Sequence, residues 1–392
     1  MKKRSILGAL TEFANDKFVL LAGPRQVGKT TLAKEWLNST GGVYLNWDIP
    51  TDRKAILDRE FMTSLKSGSF VFDELHKYLR WKNWLKGFYD KWNKEVRVVV
   101  TGSARLDVFQ RGGDSLLGRC ELLHLFPFSV GELIHSAPLP PPNDWLNPEN
   151  EKPQNKSLFD SLEKFSGFPE PMLRQSEMQL TRWSSNRRDL LIREDLRDIS
   201  DVRSTSLVEH LSLLLPGTVG KSLSINSLRN DVQVSHDTVS HWLKILDRLY
   251  YSFRISPFFK KITRSIRKEQ KLYLWNWAEL EDESARFENM VACHLFKTTQ
   301  LWRDLGHGEY RLMYWRSKDK QEIDFIVTLK NDPIALIECK LNEMDLTPNF
   351  AKFEKQFGKS LPKIQLLKKH EVDTKFKTTR IVSASKYLTG LP

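Results

Sequence analysis

One short stretch limits what this chain can fold into: Gly23-Pro24-Arg25-Gln26-Val27-Gly28-Lys29-Thr30. It follows the apolar run Phe18-Val19-Leu20-Leu21 and leads into Thr31-Leu32-Ala33-Lys34-Glu35-Trp36-Leu37, whose pattern predicts a helix. A strand, a glycine-bounded loop and a helix N-terminus, in that order, make a cradle for an anion. The glycines let backbone N–H groups point inward, and the helix N-terminus adds its partial positive charge. Gly23, Pro24, Arg25, Gln26, Val27, Gly28, Lys29, Thr30 and Thr31 are therefore the candidate phosphate-binding residues. Lys29 would neutralise β- and γ-phosphates, and Thr30 would offer its hydroxyl to Mg²⁺. The bland alternative, a glycine turn with a solvated lysine, does not account for the full spacing.

A second stretch agrees with the first. Phe70-Val71-Phe72-Asp73-Glu74 is a short apolar strand ending in two carboxylates. Asp73 at the strand tip suits a Mg²⁺ held through water, and Glu74 suits a general base for an attacking water. A base of that kind points to hydrolysis rather than to binding alone. A third run, Arg97-Val98-Val99-Val100-Thr101-Gly102-Ser103, ends in small polar residues. Ser103 is the candidate γ-phosphate contact; the plainer reading is that Thr101-Gly102-Ser103 only turns the chain. Gly118-Arg119 lies between Leu116-Leu117 and the apolar run from Leu122 to Phe128. Arg119 is a candidate finger on the γ-phosphate, in cis or across a subunit interface, against a surface ion pair. Glu74, Lys29, Arg119 and Ser103 make up the candidate catalytic set.

At 392 residues the chain exceeds one ordinary core, so two or three domains are expected. Hydrophobic residues at 40% against 28% charged argue for a folded chain over a disordered one. The net charge of +12 points to a polyanionic partner, nucleic acid before an anionic membrane. Cys120, Cys293 and Cys339 are scattered and form no C-x-x-C pair. Neither a disulfide framework nor a zinc site is expected, and a reducing cytoplasm fits. No apolar run approaches the roughly 18–20 residues of a membrane span. Glu12, Asp16 and Lys17 interrupt the stretch after Lys2, Lys3 and Arg4, so no signal peptide is expected.

Residues 1–135 alternate strand and helix patterns, with strands at Phe18–Leu21, Val43–Leu45, Phe70–Phe72 and Val96–Val100. This predicts a parallel α/β sheet with a nucleotide at the strand C-terminal ends. Residues 136–204 hold a proline-rich loop around Pro138–Pro142 and a helical linker, broken at Ser166-Gly167-Phe168-Pro169. Residues 205–262 read as a winged helix. Ser224 caps a helix over Ile225–Asp231, Gln233-Val234-Ser235 turns, and His236–Tyr251 carries Val239, Trp242, Leu243, Leu246, Leu249 and Tyr250 at helical spacing. The strand-like Ser252–Ile255 follows. His236, Asp237, Thr238, Ser240, His241 and Lys244 stand where a recognition helix would meet DNA, although such folds also serve protein contacts alone.

In residues 263–392, Tyr310–Arg316, Glu322–Leu329 and Ile334–Leu341 form an antiparallel meander by their turn chemistry. Glu338 and Lys340 are two apart and project from one face, with Asp324 on the neighbouring strand. Carboxylates converging with a lysine can bind Mg²⁺ and stabilise a phosphodiester transition state. Glu288, on an amphipathic helix over Arg286–Lys297, would complete that site. The alternative is a buried ion-pair network. The basic run Lys260, Lys261, Arg264, Arg267, Lys268 and Lys271 is expected to contact phosphates of a nucleic acid.

Together these residues resemble two known patterns. Gly23–Thr31, Phe70–Leu75 and Val98–Ala104 are similar to the AAA-type P-loop ATPases, in particular a prokaryotic group carrying a C-terminal domain of unknown function. Leu116–Leu133, Ser166–Pro171, Glu322–Phe325 and Ile337–Lys340 resemble the same group, so the likeness spans nearly the whole chain. Asp324 followed by Glu338-Cys339-Lys340 is similar to the PD-(D/E)xK nuclease core. Two residues depart: Ser103 stands where many AAA-type enzymes have Asn, and Ile323 rather than proline precedes Asp324.

The resemblance implies an α/β fold: a P-loop parallel-sheet ATPase domain, a helical linker with a winged helix-turn-helix, and a mixed α/β restriction-endonuclease-like module. It implies ATP and Mg²⁺ as ligands, with Thr30 and Asp73 at the metal. The leading expectation is an ATPase acting on nucleic acid without sequence preference, compatible with a homo-oligomer and a protein partner. An ATP-gated metal-dependent nuclease is one alternative. A nucleotide-dependent switch with an inactive nuclease-like scaffold is the other.

Overall fold

Parallel pairing of buried strands organises the first part of the chain. The computed structural model describes residues 4–58, 67–92, 95–102, 116–134, 142, 155–196, 204–260 and 269–392. Within it, β1 (Phe18–Ala22), β2 (Gly42–Asn46), β3 (Gly68–Asp73), β4 (Val96–Thr101) and β5 (Cys120–His124) form one sheet. The order is β2-β3-β4-β1-β5 and every pair is parallel. β1 is buried along its whole length, which is why it reads as an unbroken apolar run rather than an alternating one. Phe70 and Phe72 of β3 meet the Phe88 ring of the helix Trp81–Trp92 edge to face. Because β4 lies between β1 and β3, the loop after β1 and the acidic tip of β3 share one sheet edge, with Thr101 between them.

The chain divides into two units. Lys3–Phe126 with Arg248–Tyr250 form the N-terminal unit, and Pro127–Asp247 with Tyr251–Pro392 the C-terminal one. The second contains β6 (Ser252–Pro257), β7 (Lys271–Leu274), β8 (Tyr310–Arg316), β9 (Glu322–Leu329), β10 (Asp332–Lys340), β11 (Lys363–Leu367), β12 (Asp373–Phe376) and β13 (Thr379–Ser383). They make a mixed sheet in the order β12-β13-β11-β10-β9-β8-β6-β7. β8, β9 and β10 form the antiparallel meander, and Lys330 and Asn331 turn between β9 and β10 with positive φ. Phe258, Trp315, Ile326, Leu336 and Phe353 are among the core residues on one side.

β6 and β7 flank residue 262 and are hydrogen-bonded antiparallel, and β6 also pairs with β8. The strand following the helix pair is therefore part of the large sheet, and residues 205–262 do not stand apart from 263–392. The compact N-terminal unit runs through Phe126. The following helix Val130–Ile134 is bound into the second unit, where Lys297 Nζ meets Glu132 Oε2 at 2.5 Å and the Val130 N–H donates to His294 Nε2 at 3.1 Å. The helix pair itself is as expected: Ser224 Oγ accepts from Ser227 N–H at 3.2 Å, Gln233 turns at φ 57°, and His236–Arg248 follows.

Candidate nucleotide-binding site

The loop between β1 and the helix Lys29–Thr40 is shaped by positive-φ residues: Gly23 at 138°, Gln26 at 64° and Gly28 at 97°. A Cβ at Gly23 would lie 2.1 Å from the Leu125 carbonyl oxygen, so only glycine fits there. Pro24 and Val27 are buried, Arg25 half-buried, and Gln26 and Thr31 exposed. Lys29 is buried at the helix start, and its ammonium donates to the carbonyls of Gly23 at 2.9 Å and Pro24 at 2.7 Å.

Thr30 and Asp73 meet across the sheet edge. The Thr30 hydroxyl donates to Asp73 Oδ2 at 2.9 Å, Tyr44 donates to the same oxygen at 2.6 Å, and Thr101 donates to Oδ1. Asp73 is itself buried. A hydroxyl and a carboxylate side by side are the hard oxygen donors that Mg²⁺ takes alongside phosphates and water. With the glycine cradle and the loop lysine, these residues fit a Mg²⁺-nucleotide.

Glu74 follows in a left-handed conformation, φ 56° and ψ 21°, which turns its side chain off the strand line. Burial is the main cause that raises its carboxyl above the usual range; Asp73 adds to the rise and Lys77 opposes it. Lys77 Nζ lies 3.5 Å from Glu74 Oε2 and 2.5 Å from Asp48 Oδ2, and His76 Nε2 is 3.6 Å from Glu74. Glu74 Oε2 is buried, with the Lys77 ammonium and the His76 ring as its near neighbours. A buried carboxylate beside a metal-type aspartate suits a proton acceptor for water. His76 packs on the tip of β4, where a Cβ at Gly102 would come within 2.3 Å of its Nδ1.

Sequence reasoning missed Tyr44, Asp48, His76 and Lys77. No local motif marks them. Thr101 carried a usable signal, because it ends the β4 run in register with Asp73.

The other expectations fare differently. Ser103 lies outside the described residues. Arg119 precedes β5, and the Phe18 N–H donates to its carbonyl at the start of β1. The loop Gly23–Thr30 leaves the far end of β1, about 16 Å away at about 3.3 Å per residue. Arg119 therefore cannot serve as a finger in cis. Its Nε bonds Asp90 Oδ1 at 2.6 Å on the surface instead.

In the C-terminal unit, Glu288, Asp324, Glu338 and Lys340 do converge, but around a cation. Lys271 Nζ, buried, reaches Glu322, Glu288 at 3.2 Å and Asp324 at 3.8 Å. Burial alone would lower the Lys271 ammonium, yet Glu288, Asp324 and Glu322 hold it well above its ordinary range. Lys340 Nζ pairs with Glu338 Oε1 at 3.2 Å, Tyr273 donates to Glu288 at 2.7 Å, and the Cys339 N–H donates to Asp324 Oδ2 at 2.9 Å. Burial, helped by the Asp324 charge, pushes Glu288 up to about 7 and Glu338 up to about 8. Among the described residues no three His, Cys, Asp or Glu side chains are grouped to hold a metal ion. Glu288, Asp324 and Glu338, expected as metal ligands, and Lys340, expected as a nuclease lysine, take part here in an ion-pair network. Lys271 likewise leaves the basic run, since its charge is spent inside. Lys260 lies over the Phe357 ring at 5.7 Å, and Lys261, Arg264, Arg267 and Lys268 lie outside the described residues. On the second helix of the pair His236, Asp237, His241 and Lys244 are exposed, with Thr238 and Ser240 half-buried.

The comparisons with known proteins divide the chain into three segments. Residues 15–134 match the AAA domain, which agrees with the phosphate loop, the parallel sheet and the acidic strand tip of the N-terminal unit. Residues 158–278 and 283–387 match two domains of unknown function, DUF8612 and DUF4143. Uncharacterized proteins of Mycobacterium tuberculosis and Mycobacterium bovis are each 24% identical over 324 residues, covering 80% of this chain and 68% of theirs. An uncharacterized protein of Methanocaldococcus jannaschii is 23% identical over 296 residues, 66% of this chain and 61% of its own length. Among solved structures, the Thermotoga maritima RuvB Holliday junction branch migration motor aligns with 68% of this chain and 95% of its own, at 17% identity and a TM-score of 0.32. That score is too low to support an argument. No helix among the described residues is long and apolar enough to cross a membrane.

Proposed function

We propose that the chain binds ATP with Mg²⁺ and hydrolyses it, and that hydrolysis is coupled to nucleic acid. The observation that carries the reading is the contact of Thr30 Oγ1 with Asp73 Oδ2 at 2.9 Å, with Lys29 and Glu74 next to them in the chain. In this reading the loop N–H groups and Lys29 bind the phosphates, and Thr30 and Asp73 hold Mg²⁺. The ion, when bound, draws charge from the phosphate oxygens. Tyr44 and Thr101 fix the Asp73 carboxylate, and Glu74 takes the proton of the attacking water at its carboxylate. Placing the base next to the metal ligand in sequence keeps the two at one strand tip.

The nucleic-acid part rests on the net charge of +12. The Lys271 network favours a C-terminal sheet that serves as scaffold rather than one that cuts. The test is ATP hydrolysis by the full chain alone and with duplex, single-stranded or branched DNA. Turnover that rises with one of these supports coupling. Turnover that none of them changes, with no salt-dependent DNA binding, removes the nucleic-acid part and leaves the ATPase.

A further inference from the structure

A cavity of about 230 Å³ opens in the C-terminal unit, lined by the helix Glu283–Asp304, β6 and β8. The helix contributes Phe296, Thr299, Gln300 and Arg303, spaced i, i+3, i+4 and i+7 and so on one face. β6 contributes Arg254 and Ser256, two apart and again on one face, and β8 contributes Arg311. Three arginines thus line one small space, and no aspartate or glutamate is among its lining residues.

The three arginines are held differently. Arg254 is nearly buried, its side chain 13% exposed, and its Nε donates to Asp247 at 2.6 Å. Arg311 is exposed, with Glu309 at 3.7 Å, and exposed Arg303 donates to the Gln300 side chain at 3.3 Å. One guanidinium is fixed and two are free to adjust. Asp247 and Glu309 engage Arg254 and Arg311 from outside the lining, and guanidinium forks match phosphate oxygens with paired hydrogen bonds. A carboxylate brings one charge, whereas a phosphomonoester brings nearly two and three terminal oxygens. We propose that this cavity binds a phosphomonoester group, with Arg254 at its base and Arg303 and Arg311 closing over it. Its volume falls below the roughly 300–1,000 Å³ typical of drug-sized ligand pockets, so it takes a phosphate and one attached sugar rather than a dinucleotide. Phe296, Leu312 and Met313 supply the apolar wall for that sugar. The phosphate has two sources, a free sugar phosphate or the 5′-phosphate at the end of a nucleic-acid strand.

The loop Gly23–Thr30 is itself a phosphate binder in the reading above, so the test uses the full chain carrying Lys29→Ala. Calorimetric titrations compare ribose 5-phosphate, a 5′-phosphorylated single-stranded tetranucleotide, and the same tetranucleotide with a 5′-hydroxyl. Saturable binding of a phosphorylated probe is expected, with the 5′-hydroxyl strand at least about tenfold weaker, since charge-assisted hydrogen bonds are removed. The double variant Arg303→Gln with Arg311→Gln changes only exposed side chains, and should keep its melting temperature while losing the phosphorylated probe by at least about tenfold. Ribose 5-phosphate binding without strand binding assigns a free sugar phosphate. Binding of the phosphorylated strand assigns a strand end. The proposal is overturned if ribose 5-phosphate does not bind and the 5′-phosphate adds nothing to strand binding, or if the double variant keeps its affinity for the phosphorylated probe.

Discussion

Asp73 is held by three hydroxyls, and each acts on a different part of its chemistry. Thr30 shares the oxygen that faces the proposed metal, Tyr44 braces that oxygen from the neighbouring strand β2, and Thr101 anchors the other from β4. Tyr44 makes no contact that binding of the nucleotide phosphates by the loop requires. Tyr44→Phe is therefore expected to leave ATP affinity nearly unchanged and to raise the Mg²⁺ concentration for half-maximal hydrolysis several-fold. The hydrogen bond it removes contributes about 1 kcal/mol. A Mg²⁺ titration of the two proteins that superimposes would remove the positioning role. Glu74 makes a second prediction at this scale. Burial raises its carboxyl, so base activity should fall as pH drops through a midpoint above the usual carboxylate range. Lys77 pulls that midpoint down, so Lys77→Ala should move it up, read from the pH dependence of turnover. An unmoved midpoint would show that another group titrates. Of these residues, Lys29, Thr30, Asp73 and Glu74 were legible because each belongs to a contiguous motif. Tyr44 was not, because its contact with Asp73 arises from strand pairing rather than from spacing.

At the scale of elements, strand direction decides what the motifs can reach. The tip of a parallel strand and its start lie at opposite sheet edges, which is why Arg119, one residue before β5, is remote from the loop after β1. The sequence shows that a strand follows Arg119 but not which neighbour that strand pairs with. The meander β8-β9-β10 was legible for the opposite reason: its turns are short and local. The pairing of β6 with β7 and β8 was hidden, and with it the place of Lys271, which looks like one more surface cation in a basic run. The resulting ion-pair network has a testable pH dependence. Glu288 and Glu338 rise from 4.5 to about 7 and about 8, so between those values and 4.5 the folded state binds more protons than the unfolded one. Their contribution to stability is thus greatest at low pH and is lost as pH rises through 7 to 8. Urea unfolding should give a lower midpoint at pH 9 than at pH 6, and Glu338→Gln should flatten the difference. A midpoint that rises across that window in the wild type would contradict the assignment.

For the whole molecule, the charge of +12 belongs to the entire sequence, and the run from Lys260 to Lys268 concentrates part of it. Duplex binding should weaken steeply with salt. Replacing Lys260, Lys261, Arg264 and Arg267 by Gln should reduce the log–log slope by about 0.9 for each phosphate no longer neutralised. Lys271→Gln should instead lower the unfolding midpoint and leave that slope alone, since its charge is buried. Fluorescence anisotropy at several salt concentrations separates the two outcomes, and an unchanged slope in the fourfold variant would make the run a solvated surface. The central claim, however, is hydrolysis at the N-terminal sheet edge. It is tested by measuring bound nucleotide and phosphate release together at saturating MgATP in wild type, Lys29→Ala and Glu74→Gln. The account predicts turnover in the wild type and neither retention nor turnover in Lys29→Ala. Glu74→Gln should retain nucleotide while releasing phosphate at least about a hundredfold more slowly. Phosphate release by Glu74→Gln at the wild-type rate would contradict it.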